Sequence, residues 1–148
     1  MPNACFVDTN ILLYAVDRNV SEKRKKARAC LDALARHELL IINPQVLNEY
    51  AHNVLKKMPH VPREQLLSEL QAMREWCLAD LTPETAAQAV VISGRYRLSF
   101  YDSALLASAI TYGCDFFVSE NMSHQQNVGA LRIVSPFQAE LTSVLGIQ

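Results

Sequence analysis

The chain has 148 residues, half of them apolar, and its 14 basic and 15 acidic side chains give a formal net charge of −1. This length fits one domain, residues 1–148, that buries roughly 68–70% of its unfolded surface on folding. No apolar run approaches the roughly 18 residues that span a membrane, the N-terminal segment lacks a signal-peptide pattern, and the charge gives no general field for nucleic acid, so we expect a cytoplasmic protein without membrane contact.

Strands and helices are predicted to alternate along the chain. Short apolar runs predict strands at residues 4–8, 39–42, 76–80, 115–118 and 131–134. Helical periodicity and helix-start signals predict helices at residues 10–15, 21–36, 44–57, 62–75, 83–96 and 101–112, with a C-terminal tail at 137–148. This alternation predicts an α/β fold, a three-layer α/β/α sandwich with a central, mainly parallel sheet.

Two of the predicted strands end in polar turns. The first strand leads into Asp8-Thr9-Asn10, and the strand at 115–118 leads into Ser119-Glu120-Asn121. In open parallel sheets, ligands bind beyond the carboxyl ends of the strands, so we expect both turns at the same edge. The same residues also fit structural roles, as a helix cap in the first turn and as solvated loop residues in the second.

Two predicted helices carry an acid at or beside the apolar face. Asp102 opens a helix with no other charge and shares its face with Leu105 and Leu106. An unpaired charge there is unfavourable, so Asp102 is either neutral, paired or bound to a cation, or else it serves only as the N-cap. Glu49 flanks the apolar stripe of helix 44–57, near the end where the helix dipole favours negative charge; a solvated surface position is its alternative.

Acids gathered at one sheet edge indicate a divalent cation. Carboxylates held close together repel and raise one another's pKa unless a cation neutralises them. Oxygen ligands without histidine or thiolate favour Mg²⁺ or Mn²⁺ over Zn²⁺. Such an ion activates a bound water for in-line attack on a phosphodiester. The predicted reaction is therefore metal-dependent phosphodiester hydrolysis.

The motifs of other site chemistries are missing from the sequence. The four histidines form no HExxH, and the one Glu-x-x-His, at Glu49 and His52, lacks the second copy that a di-iron bundle needs. The four glycines fit neither GxGxxG nor GxxxxGK, and no serine lies in a nucleophile elbow. The four cysteines are scattered, without a CxxC, and we expect them to be buried hydrophobic residues instead of disulfides or zinc ligands.

The order and spacing of these residues resemble the PIN domain family, from Ala4 to about Phe137, and among its members the small bacterial type that includes the VapC-like toxins of toxin-antitoxin pairs. The residues that carry the resemblance are Asp8-Thr9-Asn10, Glu49, Tyr101-Asp102 and Ser119-Glu120-Asn121. It implies an endoribonuclease that uses Mg²⁺ or Mn²⁺, with Asp8, Glu49 and Asp102 as catalytic and metal-binding residues. Asn10 and Ser119 are expected to orient these ligands.

One position departs from the family's pattern. The last acid of the family usually stands third in Thr/Ser-x-Asp, and Asn121 occupies that position here. The fourth metal ligand is therefore either Glu120 or the neutral carbonyl oxygen of Asn121. The loss of one negative charge is expected to weaken divalent binding.

The partners expected from the resemblance are an RNA substrate, a cognate antitoxin protein and a second copy of the chain. Arg95 and Arg97 are candidates to contact a phosphate backbone, with surface or packing roles as the alternative. Helices 62–75 and 83–96 offer apolar faces for a homodimer. Two other functions stay open: a housekeeping or DNA-directed nuclease of the same fold, and a non-catalytic nucleic-acid- or protein-binding module in which Asn121 has abolished the chemistry.

Overall fold

The structure is a computed structural model that describes residues 2–147. The strands are β1 (Cys5–Val7), β2 (Leu40–Ile41), β3 (Phe116–Val118), β4 (Asn127–Val128) and β5 (Leu131–Val134). The helices are α1 (Thr9–Tyr14), α2 (Ser21–Arg36), α3 (Pro44–Lys57), α4 (Arg63–Met73), α5 (Pro83–Tyr96), α6 (Phe100–Tyr112) and α7 (Leu141–Leu145), with a 3-10 helix at Arg74–Trp76. No helix within residues 2–147 is long and apolar enough to cross a membrane.

The sheet has the order β2-β1-β3-β5-β4. The pairs β2–β1, β1–β3 and β3–β5 are parallel, and β4 joins the edge antiparallel to β5. Val7 lies opposite Val118, so β1 and β3 end level with each other. The ladder continues for one residue, because the Asp8 backbone N–H donates to the Val118 carbonyl at 2.9 Å. The predicted α/β fold with a central, mainly parallel sheet is confirmed.

The central strands are buried on both faces of the sheet. Phe6 of β1 and Phe117 of β3 are fully buried, and their rings stack with centroids 5.4 Å apart. The thiols of Cys5, Cys30 and Cys114 are free and buried in the same core. Desolvation raises the pKa of both Cys30 and Cys114 to about 12, so these thiols stay protonated and unreactive at neutral pH.

The predicted strand at 76–80 is wrong. Its first residue ends the 3-10 helix, and the segment makes a single parallel bridge, between Cys77 and Ile42. The Ile42 N–H donates to the Trp76 carbonyl at 2.9 Å, and the Ala79 N–H donates to the Ile42 carbonyl at 3.2 Å. No longer ladder forms because Asn43 already caps α3, which leaves the segment without a partner strand. The sequence prediction also missed β4, a two-residue strand.

Candidate active site

The three helices that carry the candidate acids each begin at a polar side chain that accepts a hydrogen bond from the first helical turn. Asp8 caps α1 through the Thr9 N–H, Asn43 caps α3 through the Val46 N–H, and Ser99 caps α6 through the Asp102 N–H. The cap role considered for Asp102 is therefore wrong, because Ser99 fills it. Asp8 does cap its helix, but a cap alone does not require the burial described next.

Asp8, Glu49, Asp102 and Asn121 line one cavity of about 700 Å³ at the carboxyl end of β1 and β3. The Asp8 side chain is buried, Glu49 and Asp102 are half-buried, and Asn121 is exposed. Within residues 2–147, no three acidic, histidine or cysteine side chains converge into a ready-made cation cage. The cavity thus gathers the predicted acids around open space.

Three polar groups contact the carboxylate of Asp8 and fix its position. The backbone N–H of Thr9 donates to Asp8 Oδ1 at 2.7 Å, and the Ser119 hydroxyl donates to Oδ2 at 2.7 Å. Asn10 Nδ2 lies 3.3 Å from both Asp8 Oδ2 and Ser119 Oγ. The Asn121 N–H donates to the same hydroxyl oxygen at 3.2 Å. Asn10 and Ser119 therefore hold Asp8 directly and tie it to the turn after β3.

Burial raises the pKa of Asp8 to about 6, from an ordinary value of 3.8. The negative charges of Asp102 and Glu49 raise this pKa further, whereas the hydrogen bonds from Ser119 and Thr9 lower it. At neutral pH the site therefore holds a buried anion that two neighbouring acids repel. A bound cation relieves both the desolvation and the repulsion.

Gln45 positions the second acid, and the sequence prediction missed it. Its Nε2 donates to Glu49 Oε1 at 2.8 Å and to the Tyr101 backbone carbonyl at 3.1 Å. The amide thus joins α3 to the first turn of α6, one residue before Asp102. The spacing of four residues between Gln45 and Glu49 was the available signal, since such pairs are neighbours on a helix.

Glu120 does not line this cavity among the described residues, whereas Asn121 does. The Glu120 carboxylate pairs with the Lys23 ammonium and accepts a hydrogen bond from the Tyr14 hydroxyl. Lys23 Nζ also lies 4.9 Å from the Tyr14 ring centroid and 5.5 Å from that of Phe137. Burial acts to raise the pKa of Glu120, but the hydrogen bonds from Lys23 and Tyr14 outweigh it and lower the pKa. Glu120 is therefore a charged, partnered side chain beside the site.

Arg95 and Arg97 are exposed and are not among the side chains that line the cavity. Arg97 ends α5 in the left-handed conformation, with φ 57°, and the Arg95 guanidinium carbon lies 5.8 Å from the Tyr96 ring centroid. The cavity is also lined by Arg18, Lys57 and His60, which the sequence prediction missed.

Comparisons with known proteins agree with this fold. The sequence model of the PIN domain family matches residues 5–129. A toxin-antitoxin complex from Klebsiella pneumoniae contains a chain with a TM-score of 0.64 and 18% identity, over 90% of this chain and 98% of that one. The VapBC2 structure from Rickettsia felis, bound to a DNA fragment from their promoter, gives a TM-score of 0.64 and 18% identity over 89% and 98%.

No curated protein matches the chain significantly. At this level of identity the solved structures support the fold alone. The family is assigned from the family model, which spans residues 5–129 and includes Asp8, Glu49, Asp102 and Asn121. The chain belongs to the PIN domain family.

Proposed function

We propose that this protein is an endoribonuclease that depends on Mg²⁺ or Mn²⁺ and acts as the toxin of a toxin-antitoxin pair. The observation that carries the proposal is the buried Asp8 carboxylate, which lines one cavity with Glu49 and Asp102. Proteins of the PIN family are generally nucleases, which are hydrolases of phosphodiester bonds. We assign the chemistry of such a reaction to Asp8, at the end of β1, and to the helix residues Glu49 and Asp102.

The side chains of the cavity fit a hard divalent cation. Asp8, Glu49, Asp102 and Asn121 present only oxygen ligands, which suits Mg²⁺ and Mn²⁺ better than softer ions. Mg²⁺ keeps several of its waters and binds through one or two carboxylates, so a closed cage of protein ligands is unnecessary. In this proposal Asp8 and Asp102 are the main ligands, and Asn121 contributes its neutral amide oxygen.

When bound, the cation lowers the pKa of a water and offsets negative charge on the phosphodiester. The protein's part is to hold the groups around that reaction. Ser119 and Asn10 keep Asp8 fixed, and the Ser99 cap fixes the first turn that carries Asp102. Gln45 orients Glu49, and we assign to Glu49 the role of accepting a proton from the attacking water. In this reaction the water oxygen forms a new bond to phosphorus, the bond from phosphorus to the leaving oxygen breaks, and the leaving oxygen takes up a proton from solvent.

The toxin role rests on the similarity in fold. Both solved structures reported above are described as toxin-antitoxin or VapBC complexes, and the match covers 98% of each of those chains. By analogy we propose a cognate antitoxin protein as partner. The homodimer remains the expectation from the family resemblance. The alternatives are a housekeeping or DNA-directed nuclease, and a binding module that holds nucleic acid without cutting it. Asn121 favours the binding module among these alternatives, because a neutral amide lies in the cavity where the family usually has an acid.

The test is cleavage of a mixed set of labelled RNAs and matched DNAs by the pure protein, over a titration of Mn²⁺ and of Mg²⁺. We expect metal-dependent RNA cleavage that falls at least 100-fold in Asp102→Asn, a loss of about 2.7 kcal/mol in transition-state stabilisation. The matched control is Glu84→Gln, because Glu84 is also an acid in the first turn of a helix but lies outside the cavity.

Each other result of this assay has a defined meaning. Cleavage of DNA in preference to RNA supports the DNA-directed nuclease. RNA binding without turnover at high Mn²⁺, by a protein whose circular dichroism shows it folded, supports the binding module. Equal activity of Asp102→Asn and the wild type would overturn the proposed site. Growth arrest on expression, relieved by the product of an adjacent reading frame, tests the toxin role separately.

A further inference from the structure

The cavity that holds the acids is also lined by side chains of the opposite charge. Arg18, in the loop after α1, and Lys57, at the end of α3, both line it, together with His60. Neither Arg18 nor Lys57 forms an ion pair with any residue in the described range 2–147. Both side chains are exposed, so their charges are available to a ligand in the cavity.

The two ends of the cavity are joined along one side of α3. Glu49, Asn53 and Lys57 follow one another at intervals of four residues, and all three line the cavity. At 1.5 Å per residue, Glu49 and Lys57 stand roughly 12 Å apart along the helix axis. A stacked strand rises about 3.4 Å per nucleotide, so this length spans roughly three nucleotides.

Asp17 precedes Arg18 in the sequence and also lines the cavity. Its Oδ1 accepts a hydrogen bond from the Asn19 N–H at 2.9 Å, which closes a tight turn around Arg18. The carboxylate thereby orders the loop that presents the arginine. The formal charges of Arg18, Lys57 and Asp17 together sum to +1.

We infer that Arg18 and Lys57 form a subsite for the backbone phosphates of single-stranded RNA, next to the phosphodiester that lies at the acids. This inference rests on the proposed function, because it names how the substrate of that site is held. A strand that runs from Lys57 to Glu49 places one phosphate at the cations and another among the carboxylates. Anion binding at one end and cation-assisted cleavage at the other then use one continuous cavity.

The chain offers a control for the simplest other explanation of Lys57. A lysine in the last turn of a helix compensates the helix dipole, and Lys56 and Lys57 both stand in the last turn of α3. Both are exposed, but only Lys57 lines the cavity. Lys56→Ala therefore removes the same charge from the same turn without touching the proposed subsite.

The experiment measures binding of a labelled single-stranded RNA to the full chain in EDTA, where cleavage does not interfere, at several salt concentrations. We expect Arg18→Ala and Lys57→Ala each to weaken binding and to lower the slope of log K against log salt by about 0.7, the value for one phosphate contact on a single strand. In the double variant this slope should be lower by about 1.4. Lys56→Ala should keep the affinity and slope of the wild type.

The inference is overturned if Lys57→Ala and Lys56→Ala bind RNA alike, or if the wild type binds no RNA. A parallel assay of Mn²⁺-dependent RNA cleavage by the wild type separates this outcome from failure of the proposed function. An active wild type with unchanged slopes in both variants rejects the subsite alone. An inactive wild type whose RNA binding still depends on Arg18 and Lys57 rejects the nuclease and keeps the subsite.

Discussion

The carboxylate of Asp8 is buried, hydrogen-bonded and repelled by two other acids. Ser119 and Thr9 stabilise its charged form, but burial outweighs them and leaves the pKa at about 6. The native protein therefore holds a proton on Asp8 more tightly than the unfolded chain does. It follows that the charge of this one residue destabilises the fold in the absence of a cation.

Asp8→Asn should make the metal-free protein more stable, and more so as the pH rises. The folded-state pKa of Asp8 lies above its ordinary value of 3.8, so the destabilisation is absent below about pH 4 and complete above about pH 6. We expect the free energy of unfolding of the variant to exceed that of the wild type by on the order of 2–3 kcal/mol at pH 7.5 and by little at pH 4. Urea unfolding in EDTA measures both values, with the exposed Asp32→Asn as control. A difference that does not change with pH would contradict the prediction.

Asn121 stands at the position of the family's last acid and lines the cavity, whereas Glu120 does not line it. Asn121→Asp adds a negative charge to the cavity, so we expect the Mn²⁺ concentration for half-maximal activity to fall about tenfold, which corresponds to about 1.4 kcal/mol. Glu120→Gln should leave that concentration within about twofold, because Glu120 does not line the cavity and its carboxylate is engaged by Lys23 and Tyr14. If Glu120→Gln raised the metal requirement and Asn121→Asp did not lower it, Glu120 would be the ligand.

The sequence identified the acids of the site but not the neighbours that determine which of them face the cavity. Asp8 and Asp102 were recognisable because a charge beside an apolar run requires compensation. The choice between Glu120 and Asn121 depends on Lys23, which is 97 residues from Glu120 in sequence. Periodicity and local spacing contain no information on such a contact, so both residues remained candidates.

The first turn of α6 links helix stability to the site. Ser99 caps this helix by accepting from the N–H of Asp102, the residue that lines the cavity. Thr82 caps α5 in the same way, through the N–H of Thr85 and a reciprocal bond, but no acid of the site is on that helix. The two caps are therefore alike in kind, but only the Ser99 cap is on a helix that carries an acid of the site.

Ser99→Ala and Thr82→Ala should cost similar stability but differ in metal dependence. Loss of a serine or threonine cap costs about 1 kcal/mol, so we expect the free energy of unfolding of each variant, measured in urea, to fall by about that amount. Only Ser99→Ala should raise the Mn²⁺ requirement for cleavage, by several-fold, because its loss frees the turn that holds Asp102. Equal metal requirements in the two variants would show that the cap does not position Asp102.

Sequence patterns predicted the helices and the central strands, but they did not predict the edges of the sheet. The apolar run Trp76-Cys77-Leu78 predicts a strand. Its pairing with the segment after β2 stops at Ile42, however, because Asn43 already caps α3. At the other margin, Asn127–Val128 pairs with β5 over two residues, one of them polar. Both errors concern pairing, which depends on what lies alongside a segment and not on the segment's own composition.

The whole molecule leaves several large apolar side chains in solvent. Leu67 of α4 is 66% exposed, and Val90 and Val91 of α5 are 62% and 65% exposed. These two helices are the ones whose apolar faces were predicted to form a homodimer, and the dimer stays a prediction. Exposed apolar side chains on one helix are a common feature of a subunit interface.

The double variant Val90→Lys/Val91→Lys should dissociate that dimer without unfolding the subunit. Both positions point to solvent in the single chain, so charge there costs the monomer little, whereas two buried lysines per subunit would disrupt an interface. Light scattering coupled to size exclusion measures the mass, and circular dichroism checks the fold. Replacement of exposed Leu78 by lysine, outside both helices, is the control. A wild type that is monomeric at tens of micromolar would refute the homodimer.

The hydrogen bond between Asp8 and Ser119 joins residues that are 111 positions apart in the chain. A ribosome adds roughly 5–20 residues per second, so on the order of 10 s pass between the synthesis of the two. During that interval β1 has no β3 to pair with, and Asp8 has neither its hydroxyl donor nor Asn121 beside it. A nascent or truncated chain that stops before β3 therefore cannot bring Ser119 to Asp8, and the site assembles only after β3 has been synthesised.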